Sequence, residues 1–196
     1  MARSNANANA NRRDEVVTAA TRVFLRFGYR RTTMGDIAEA AGISRPALYP
    51  VFSSKEAVFN AVLARVFQVE LDEIRERVAG ARKPAEQLAA ALDVWCVRNY
   101  EYTHASPGAA DLYASSFELA SDLATKSTAA FDAIVADILE PLVRDQSRLA
   151  LTSRELARLI SSAIPGLKAA AKNSKQLRAS VRSFIAVILA SLGAKA

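Results

Sequence analysis

Residues 33–52 read TMGDIAEAAGISRPALYPVF, and this stretch decides the fold of the N-terminal part of the chain. Thr33, followed three residues later by Asp36, is a pairing that starts helices, because each residue can cap a backbone N–H of the other. Ser44 can cap a second short helix in the same way. Gly42 lies between them and allows a sharp turn. The stretch therefore predicts two short helices at a steep angle, which is a helix-turn-helix.

The second of these helices carries side chains suited to DNA. A recognition helix meets base edges with its N-terminal residues, and Arg45 lies at that end. An arginine can form two hydrogen bonds with a guanine edge, which discriminates against other bases by roughly 1–3 kcal/mol. The N-termini of the neighbouring helices offer free N–H groups to phosphate. We therefore predict the following DNA-binding residues: Thr33, Ser44, Arg45, Pro46, Ala47, Tyr49 and Lys55.

The flanking segments complete a small head. Apolar residues recur at helical spacing over 16–27, which predicts a first helix that begins near Asn11 or Arg12 and is stopped by Gly28. Ser53 and Glu56 predict a capping box that opens a long fourth helix. The first helix would back the helix-turn-helix, giving a three-helix head that can place its third helix in a major groove.

The rest of the chain is also predicted to be helical. Alanine, leucine, arginine and glutamate recur throughout, glycine and proline number 7 and 6, and alternation of the kind seen in strands is not sustained. We predict an all-α fold of about nine helices. The domains would be a flexible tail over 1–11, a helix-turn-helix domain over 12–58 and a helical body over 59–196.

Composition narrows the class of protein. The 196 residues are 51% hydrophobic, enough for a sizeable core, and carry a net charge of +6. A basic excess favours polyanionic partners, although a basic protein without such a partner fits the charge equally well. Cys96 is the single cysteine, which fits a reducing compartment. Residues 1–13 lack the apolar stretch of a secretory signal, and no run approaches the roughly 20 apolar residues of a membrane span. We predict a cytoplasmic protein that is not bound to a membrane.

Catalysis is not expected. One histidine and one cysteine, without a glycine-rich phosphate loop, leave few catalytic arrangements. The acidic residues fall mostly at helix caps or on polar helix faces. We predict no enzyme activity, no cofactor and no metal.

The segment from Arg12 to about Leu63 resembles the N-terminal domain of the TetR family of transcriptional regulators. The matching pieces are Phe27-Gly28-Tyr29, Thr32-Thr33, Ile37-Ala38, Ala41-Gly42-Ile43-Ser44, Leu48-Tyr49, Phe52 and Lys55-Glu56. One departure is Val51, preceded by Pro50, where the family often has a histidine or tyrosine that contacts phosphate. Backbone affinity would then come from Arg30, Arg31 or the tail.

The resemblance implies a repressor that a small-molecule effector, bound in the helical body, releases from a pseudo-palindromic DNA operator. Aromatic walls with few polar groups are typical of ligand pockets, although aromatic residues at helical spacing are also typical of a plain core. The candidate effector-binding residues are Trp95, Cys96, Asn99, Tyr100, Tyr113, Phe117 and Phe131.

The resemblance also implies a homodimer through the last two helices. The last helix is apolar over a wide arc, which independently indicates burial on more than one side, by a partner or by the chain's own core. The candidate dimer residues are Leu156, Ile160, Ile164, Val181, Phe184, Ile188 and Leu192.

Two other classes of function stay open at this point. The last helix, with Lys175, Arg178 and Arg182, faintly resembles a basic amphipathic helix that binds membrane surfaces or proteins. That alternative leaves the turn pattern of residues 33–52 unexplained. The second alternative is an architectural DNA-binding protein that has no effector.

Overall fold

The structure is a computed structural model that describes residues 2–145 and 150–194, with side chains over 11–116, 118–144 and 150–194. All regular structure in these ranges is helical, as predicted. The elements are α1 (Ala2–Phe27), α2 (Met34–Ala40), α3 (Arg45–Leu48), α4 (Lys55–Gly80), α5 (Pro84–Leu92), a π-helical segment (Asp93–Arg98), α6 (Asn99–Ala105), α7 (Pro107–Leu119), α8 (Ser121–Asp145), α9 (Ser153–Ala170) and α10 (Ser174–Ser191). Because α5, the π-helical segment and α6 are consecutive, they form one interrupted helix, and the described ranges then hold nine.

The first compact unit comprises Met1–Phe67 and Tyr102–Ala124. Its α1, α2 and α3 and the first turns of α4 enclose an apolar core, to which α7 adds Leu112. Helix α1 packs against both α2 and α7. The core of this unit includes Val16, Ala20, Phe24, Ile37, Leu48, Phe52, Val58, Phe59 and Val62.

Helix α7 approaches α1 at a glycine. A methyl group on Gly108 would lie 2.5 Å from the carbonyl oxygen of Leu25 and 2.9 Å from the carbonyl carbon and oxygen of Arg26. The hydroxyl of Ser106 donates to the same Leu25 oxygen at 3.3 Å. Only glycine permits this contact between backbones without displacement.

The second compact unit comprises Gln68–Glu101 and Thr125–Ala196. Residues from the later turns of α4, from α5, α8, α9 and α10, and from the π-helical segment form its core. The largest fully buried side chains there are Ile74, Leu88, Leu92, Phe131, Leu139, Ile160, Leu177 and Leu189. No helix among the described residues has the length and apolar character needed to cross a membrane.

Two predicted helix starts are wrong. Helix α1 begins at Ala2 rather than near Asn11. Residues 2–27 contain no glycine or proline, so nothing prevents the helix from extending past the potential cap at Asn11. Helix α4 is capped by Ser54 rather than Ser53. The Oγ of Ser54 accepts from the N–H of Ala57 at 3.1 Å. Ser53 is one residue too early because the turn after α3 continues through Phe52, whose N–H donates to Leu48.

Other predicted boundaries are confirmed. Gly28 ends α1 with a φ of +80°, a backbone conformation that favours glycine. Thr152 and Glu155 form the capping box that opens α9. The division into a tail over 1–11, a helix-turn-helix domain over 12–58 and a body over 59–196 remains a prediction about function.

Candidate functional site

The turn between α2 and α3 is fixed by local hydrogen bonds. The N–H of Thr33 donates to the Asp36 carboxylate at 2.8 Å, and the N–H of Asp36 donates to the Thr33 hydroxyl at 3.2 Å, so the predicted capping box is present. These bonds hold the pKa of Asp36 below its ordinary value. Gly42 turns the chain with a φ of +67°. The N–H of Ile43 then donates to Ala38 at 3.0 Å, which closes the end of α2.

Helix α3 buries one side and exposes the other. Leu48 is fully buried in the head. Ser44, Arg45, Pro46 and Tyr49 are exposed, and Ala47 is half-buried. Ser44 caps the helix, its Oγ accepting from the N–H of Ala47 at 3.3 Å. The predicted base-reading residues therefore lie on a surface whose backbone is held in place from both ends.

Two of these exposed side chains contact each other. A guanidinium nitrogen of Arg45 lies 3.2 Å from the hydroxyl of Tyr49, and the same group lies 5.9 Å from the centre of the tyrosine ring. The contact lies on the exposed side of α3, so both side chains can exchange it for a base edge or a phosphate. An arginine held in this way loses less side-chain freedom when it binds a planar group.

Arg13 holds the other end of α3, a contact that the sequence patterns did not reveal. Its guanidinium lies 4.2 Å from the centre of the Phe52 ring and donates to the carbonyl oxygen of Val51 at 3.4 Å. The backbone after α3 is therefore tied to α1. Val51 itself is half-buried.

The predicted phosphate contact Lys55 lies against the loop that follows α1. Its ammonium donates to the carbonyl oxygen of Tyr29 at 2.9 Å and lies 4.3 Å from the centre of the Tyr29 ring. Tyr29 in turn packs against Phe24 and Phe59, with ring centres 6.0 and 4.6 Å away. Burial is the main cause that raises the pKa of Tyr29, with the charge of Glu56 contributing. Lys55 thus joins the start of α4 to the end of α1.

We expect Lys55→Met to lower the free energy of unfolding by about 1–2 kcal/mol, because the substitution removes a charged hydrogen bond and a cation–π contact from a partly buried site. Urea unfolding followed by circular dichroism measures this change. Lys83→Met, at an exposed lysine that makes no side-chain cap to α5, is the control and should be neutral. Unchanged stability, with a salt dependence of DNA binding reduced by about one ion, would instead assign Lys55 to phosphate.

Arg30 and Arg31, the expected alternative phosphate contacts, also have partners within the first unit. The N–H of Arg30 donates to the Asp111 carboxylate at 3.0 Å, and its guanidinium pairs with Glu118 at 3.4 Å. The Nε of Arg31 donates to the carbonyl oxygen of Phe27 at 3.0 Å. The Arg30 side chain stays 67% exposed, so its pairing with carboxylates is weak and can be exchanged.

The candidate effector residues are divided between the two units. In the second unit, Trp95 stacks on the fully buried Phe131 with ring centres 4.7 Å apart, and Cys96 is also buried. Burial raises the pKa of the Cys96 thiol, which keeps it protonated. Tyr113 belongs to the first unit, where it is partly exposed. Phe117 lies outside the side chains that the structure describes.

The two remaining effector candidates contact α9 and its C-terminal end. The amide oxygen of Asn99 accepts from the Lys168 ammonium at 2.7 Å, and the hydroxyl of Tyr100 donates to the carbonyl oxygen of Ala171 at 3.2 Å. Sequence reasoning missed Lys168. A signal was available, because Lys168 continues the apolar spacing of Ile160 and Ile164 along α9.

A second missed group lies on α4. Glu70 is four residues before the fully buried Ile74 and so lies on the same side of the helix. Burial raises its pKa to about 7, while the charges of Arg98 and Lys168 oppose this rise. Arg98 forms a bidentate pair with Glu73, with both N–O distances 2.5 Å.

The candidate dimer residues mostly face the chain's own core. Leu156, Ile160, Ile164, Val181, Ile188 and Leu192 are all buried within the second unit, and Phe184 is half-buried. Such side chains leave little surface for a partner. The outward faces of the same helices instead carry Leu159 on α9 and Val187 on α10, which are 55% and 67% exposed.

The basic residues of α10 do not form one solvent-facing stripe. Arg178 pairs with Asp93 and, at 3.1 Å, with Glu101. This pairing removes the central residue from the set that resembled a membrane-binding helix. Among the described residues, no group of histidine, cysteine, aspartate or glutamate side chains could hold a metal ion.

The segment that contains the helix-turn-helix matches a known protein family. Residues 16–62 match the family described as bacterial regulatory proteins, tetR family. The activator FasR of Mycolicibacterium smegmatis is 27% identical over 156 residues, which are 79% of this chain and 69% of FasR. The repressor KstR2 of Rhodococcus jostii is 33% identical over 107 residues, which are 55% of this chain and 50% of KstR2.

The fold agrees with this assignment. The crystal structure described as a TetR-family transcriptional regulator from Mesorhizobium loti superposes with a TM-score of 0.69 at 19% identity, covering 93% of this chain and 97% of that one. These relatives are transcription regulators rather than enzymes, which agrees with the expectation from composition. The helix-turn-helix segment thus matches that of the TetR family of DNA-binding transcriptional regulators, and the chain is similar to a regulator of that family in fold.

Proposed function

We propose that this regulator is a repressor that binds a pseudo-palindromic operator as a homodimer and is released by a small-molecule effector. The observation that carries the DNA-binding part is the exposed edge of α3, where Ser44, Arg45 and Tyr49 lie on a helix capped at its start and tied to α1 at its end. Side chains on rigid backbone read bases without a large ordering cost.

Each exposed residue has a distinct proposed role. Arg45 reads a guanine edge in the major groove, and Tyr49 contacts the phosphate backbone one turn later. Thr33 and Ser44 lead helices whose first N–H groups face phosphate. Pro46 and Ala47 let the helix approach the bases closely, because neither carries a long side chain. The excess of basic residues, ten against five acidic ones among residues 1–67, adds attraction that does not depend on sequence.

The proposed dimer face is the outward side of α9 and α10. Its centre is the exposed pair Leu159 and Val187, and its other members are small: Ser162, Ala163, Gly166 and Ala169 on α9, and Ala179, Ser183, Ala186 and Ala190 on α10. Small residues let two helices approach closely, and two copies of this face would form a four-helix interface. A two-fold dimer would hold two heads about 34–36 Å apart, or a multiple of this spacing.

The sign of regulation is proposed from the family resemblance. KstR2 is named a repressor and FasR an activator, so both outcomes occur among relatives. Release requires that the effector bind a second dimer state more tightly than the operator-binding state. Titrating a labelled operator with fractionated metabolites measures this directly. No fraction that changes DNA affinity would contradict an effector-controlled role.

Selection of bound sequences from random duplexes tests the DNA-binding proposal. We expect a pseudo-palindromic consensus, with half-sites one helical turn or a multiple apart. Arg45→Ala should relax the preference at one position of each half-site and weaken binding by about 1–3 kcal/mol per contact. Arg65→Ala, at an exposed arginine on α4, is the matched control and should leave the consensus unchanged. An unchanged consensus with Arg45→Ala would show that α3 docks differently.

A further inference from the structure

A cluster of half-buried polar side chains lies in the second unit where three helices meet. Helix α4 supplies Glu70 and Glu73, the π-helical segment supplies Arg98, α6 supplies Asn99, and α9 supplies Lys168. The same unit has a large apolar core, which includes the stacked Trp95 and Phe131. Charged groups in such a place are costly unless they are paired or serve a ligand.

The side chains of this cluster differ in how many hydrogen-bond partners they have. Arg98 pairs with Glu73 through two short hydrogen bonds from its terminal nitrogens, and Lys168 donates to Asn99. Within the described part of the chain, no hydrogen bond reaches the carboxylate of Glu70. A half-buried carboxyl group without a donor from the protein needs a water, an ion or a ligand as its partner.

The backbone at this place is also unusual. The helix that carries Arg98 and leads into Asn99 departs from α-helical bonding over Asp93–Arg98. Insertions of π-helix are rare and occur frequently at functional sites. Here the segment lies beside the polar cluster rather than at a surface, since Val94, Cys96 and Val97 are buried.

We propose that Glu70, Asn99 and Lys168 form the polar end of the effector site and that the effector carries a carboxylate. This inference rests on the proposed effector-controlled function and names the ligand class for it. Lys168 would pair with the ligand carboxylate, and Asn99 would orient the ammonium. Glu70, in its protonated form, would donate a hydrogen bond to the second carboxylate oxygen.

Charge balance favours an anionic over a cationic ligand. Glu70, Glu73, Arg98 and Lys168 together carry no net charge when all are ionised. Because the pKa of Glu70 is about 7, this group can take up a proton near neutral pH at almost no cost, which compensates for a ligand's negative charge. A cationic ligand would require Lys168 to lose a proton from an ordinary pKa of 10.5, although burial lowers that pKa.

The coupling between ligand binding and protonation of Glu70 predicts how the affinity for carboxylates depends on pH. Below the pKa of Glu70 the carboxyl group is already protonated, and carboxylate affinity is at its maximum. Above about pH 7, Glu70 must take up as much as one proton from solvent when a ligand binds. The affinity for the carboxylate therefore falls by up to tenfold per pH unit. The groups that act on this titration are Arg98, Lys168 and Glu73, and Cys96 lies close enough to Lys168 to interact with it.

Calorimetric titration of the full chain tests the inference. The probes are straight-chain carboxylates of increasing length, benzoate and phenylacetate, each with the amine and alcohol of the same carbon skeleton. We expect the carboxylates to bind and the matching amines and alcohols not to bind. Titrations at pH 7.5 in two buffers of different ionisation enthalpy should show net proton uptake, approaching one proton per ligand at higher pH.

Single-residue variants test the role that we propose for each side chain. Lys168→Gln should weaken carboxylate binding at least tenfold, whereas Lys172→Gln, at an exposed lysine after α9, should not. Glu70→Gln should retain binding and abolish proton uptake. Binding by amines in place of carboxylates, uptake unaffected by Glu70→Gln, or no carboxylate binding at all would overturn the inference. Duplex binding by the same preparations separates the two failures, because a chain that binds its operator but no carboxylate refutes only the ligand class.

Discussion

Replacing Gly108 with alanine should lower the free energy of unfolding by about 1–3 kcal/mol, although alanine is the better helix former. The added methyl group would lie 2.5 Å from the Leu25 oxygen and 2.9 Å from the Arg26 carbonyl. All of these are backbone atoms, so they cannot rotate away, and α1 and α7 must separate. Urea unfolding measures the loss.

The control for this prediction is Gly80→Ala. Gly80 ends α4, and a methyl group there would have no atom within 4 Å. That substitution should be neutral or slightly stabilising, as is usual where alanine replaces an unconstrained glycine. Equal effects of the two substitutions would show that the contact between α1 and α7 is looser than the structure indicates. The operator affinity of Gly108→Ala reports whether this contact also positions the head.

Replacing Val187 with lysine should lower operator affinity about 100-fold or more. Two heads that act together gain 10²–10⁴ in affinity over a single head, and this gain is lost when the dimer separates. In the proposed dimer, lysine in place of this exposed valine would bring like charges together at the interface, while the chain's own core stays untouched. Its positive charge would not itself weaken DNA binding, so any loss reports on the dimer.

Val69→Lys is the matched control, because Val69 is similarly exposed, at 51%, on α4. Analytical ultracentrifugation should find monomers for Val187→Lys and dimers for Val69→Lys. A Val187→Lys protein that remains dimeric would remove the outward face of α9 and α10 from the proposed interface. A monomer with undiminished operator affinity would contradict the two-headed binding mode.

Local signals predicted the head in detail because its structure is determined by neighbours in sequence. The Thr33–Asp36 capping box, the positive φ of Gly42 and the serine cap of α3 all involve residues within a few positions of each other. The sequence predicted a helix boundary less accurately where two neighbouring residues could each cap the helix. Ser53 and Ser54 both suit the start of α4, and the Phe52 hydrogen bond to Leu48 selects between them.

Contacts between distant residues could not be predicted in this way. Lys55 reaches the Tyr29 carbonyl and Arg13 the Val51 carbonyl because the fold brings these segments together, and no spacing pattern encodes either contact. Periodicity likewise identified apolar residues on the last two helices without indicating which side a partner would cover. The buried residues at Ile160 and Ile188 follow the same period as any amphipathic helix.

Mapped DNA cleavage tests most directly whether the exposed edge of α3 enters the major groove. Because Cys96 is the single native cysteine and is buried, a cleaving iron chelate can be attached selectively to Tyr49→Cys. Attachment to Ala89→Cys, an exposed position on α5, is the control. We expect two cleavage clusters, one in each half-site and offset as for cleavage from the major groove, from Tyr49→Cys and none from Ala89→Cys. Cleavage absent from Tyr49→Cys, or equal from both positions, would contradict this expectation.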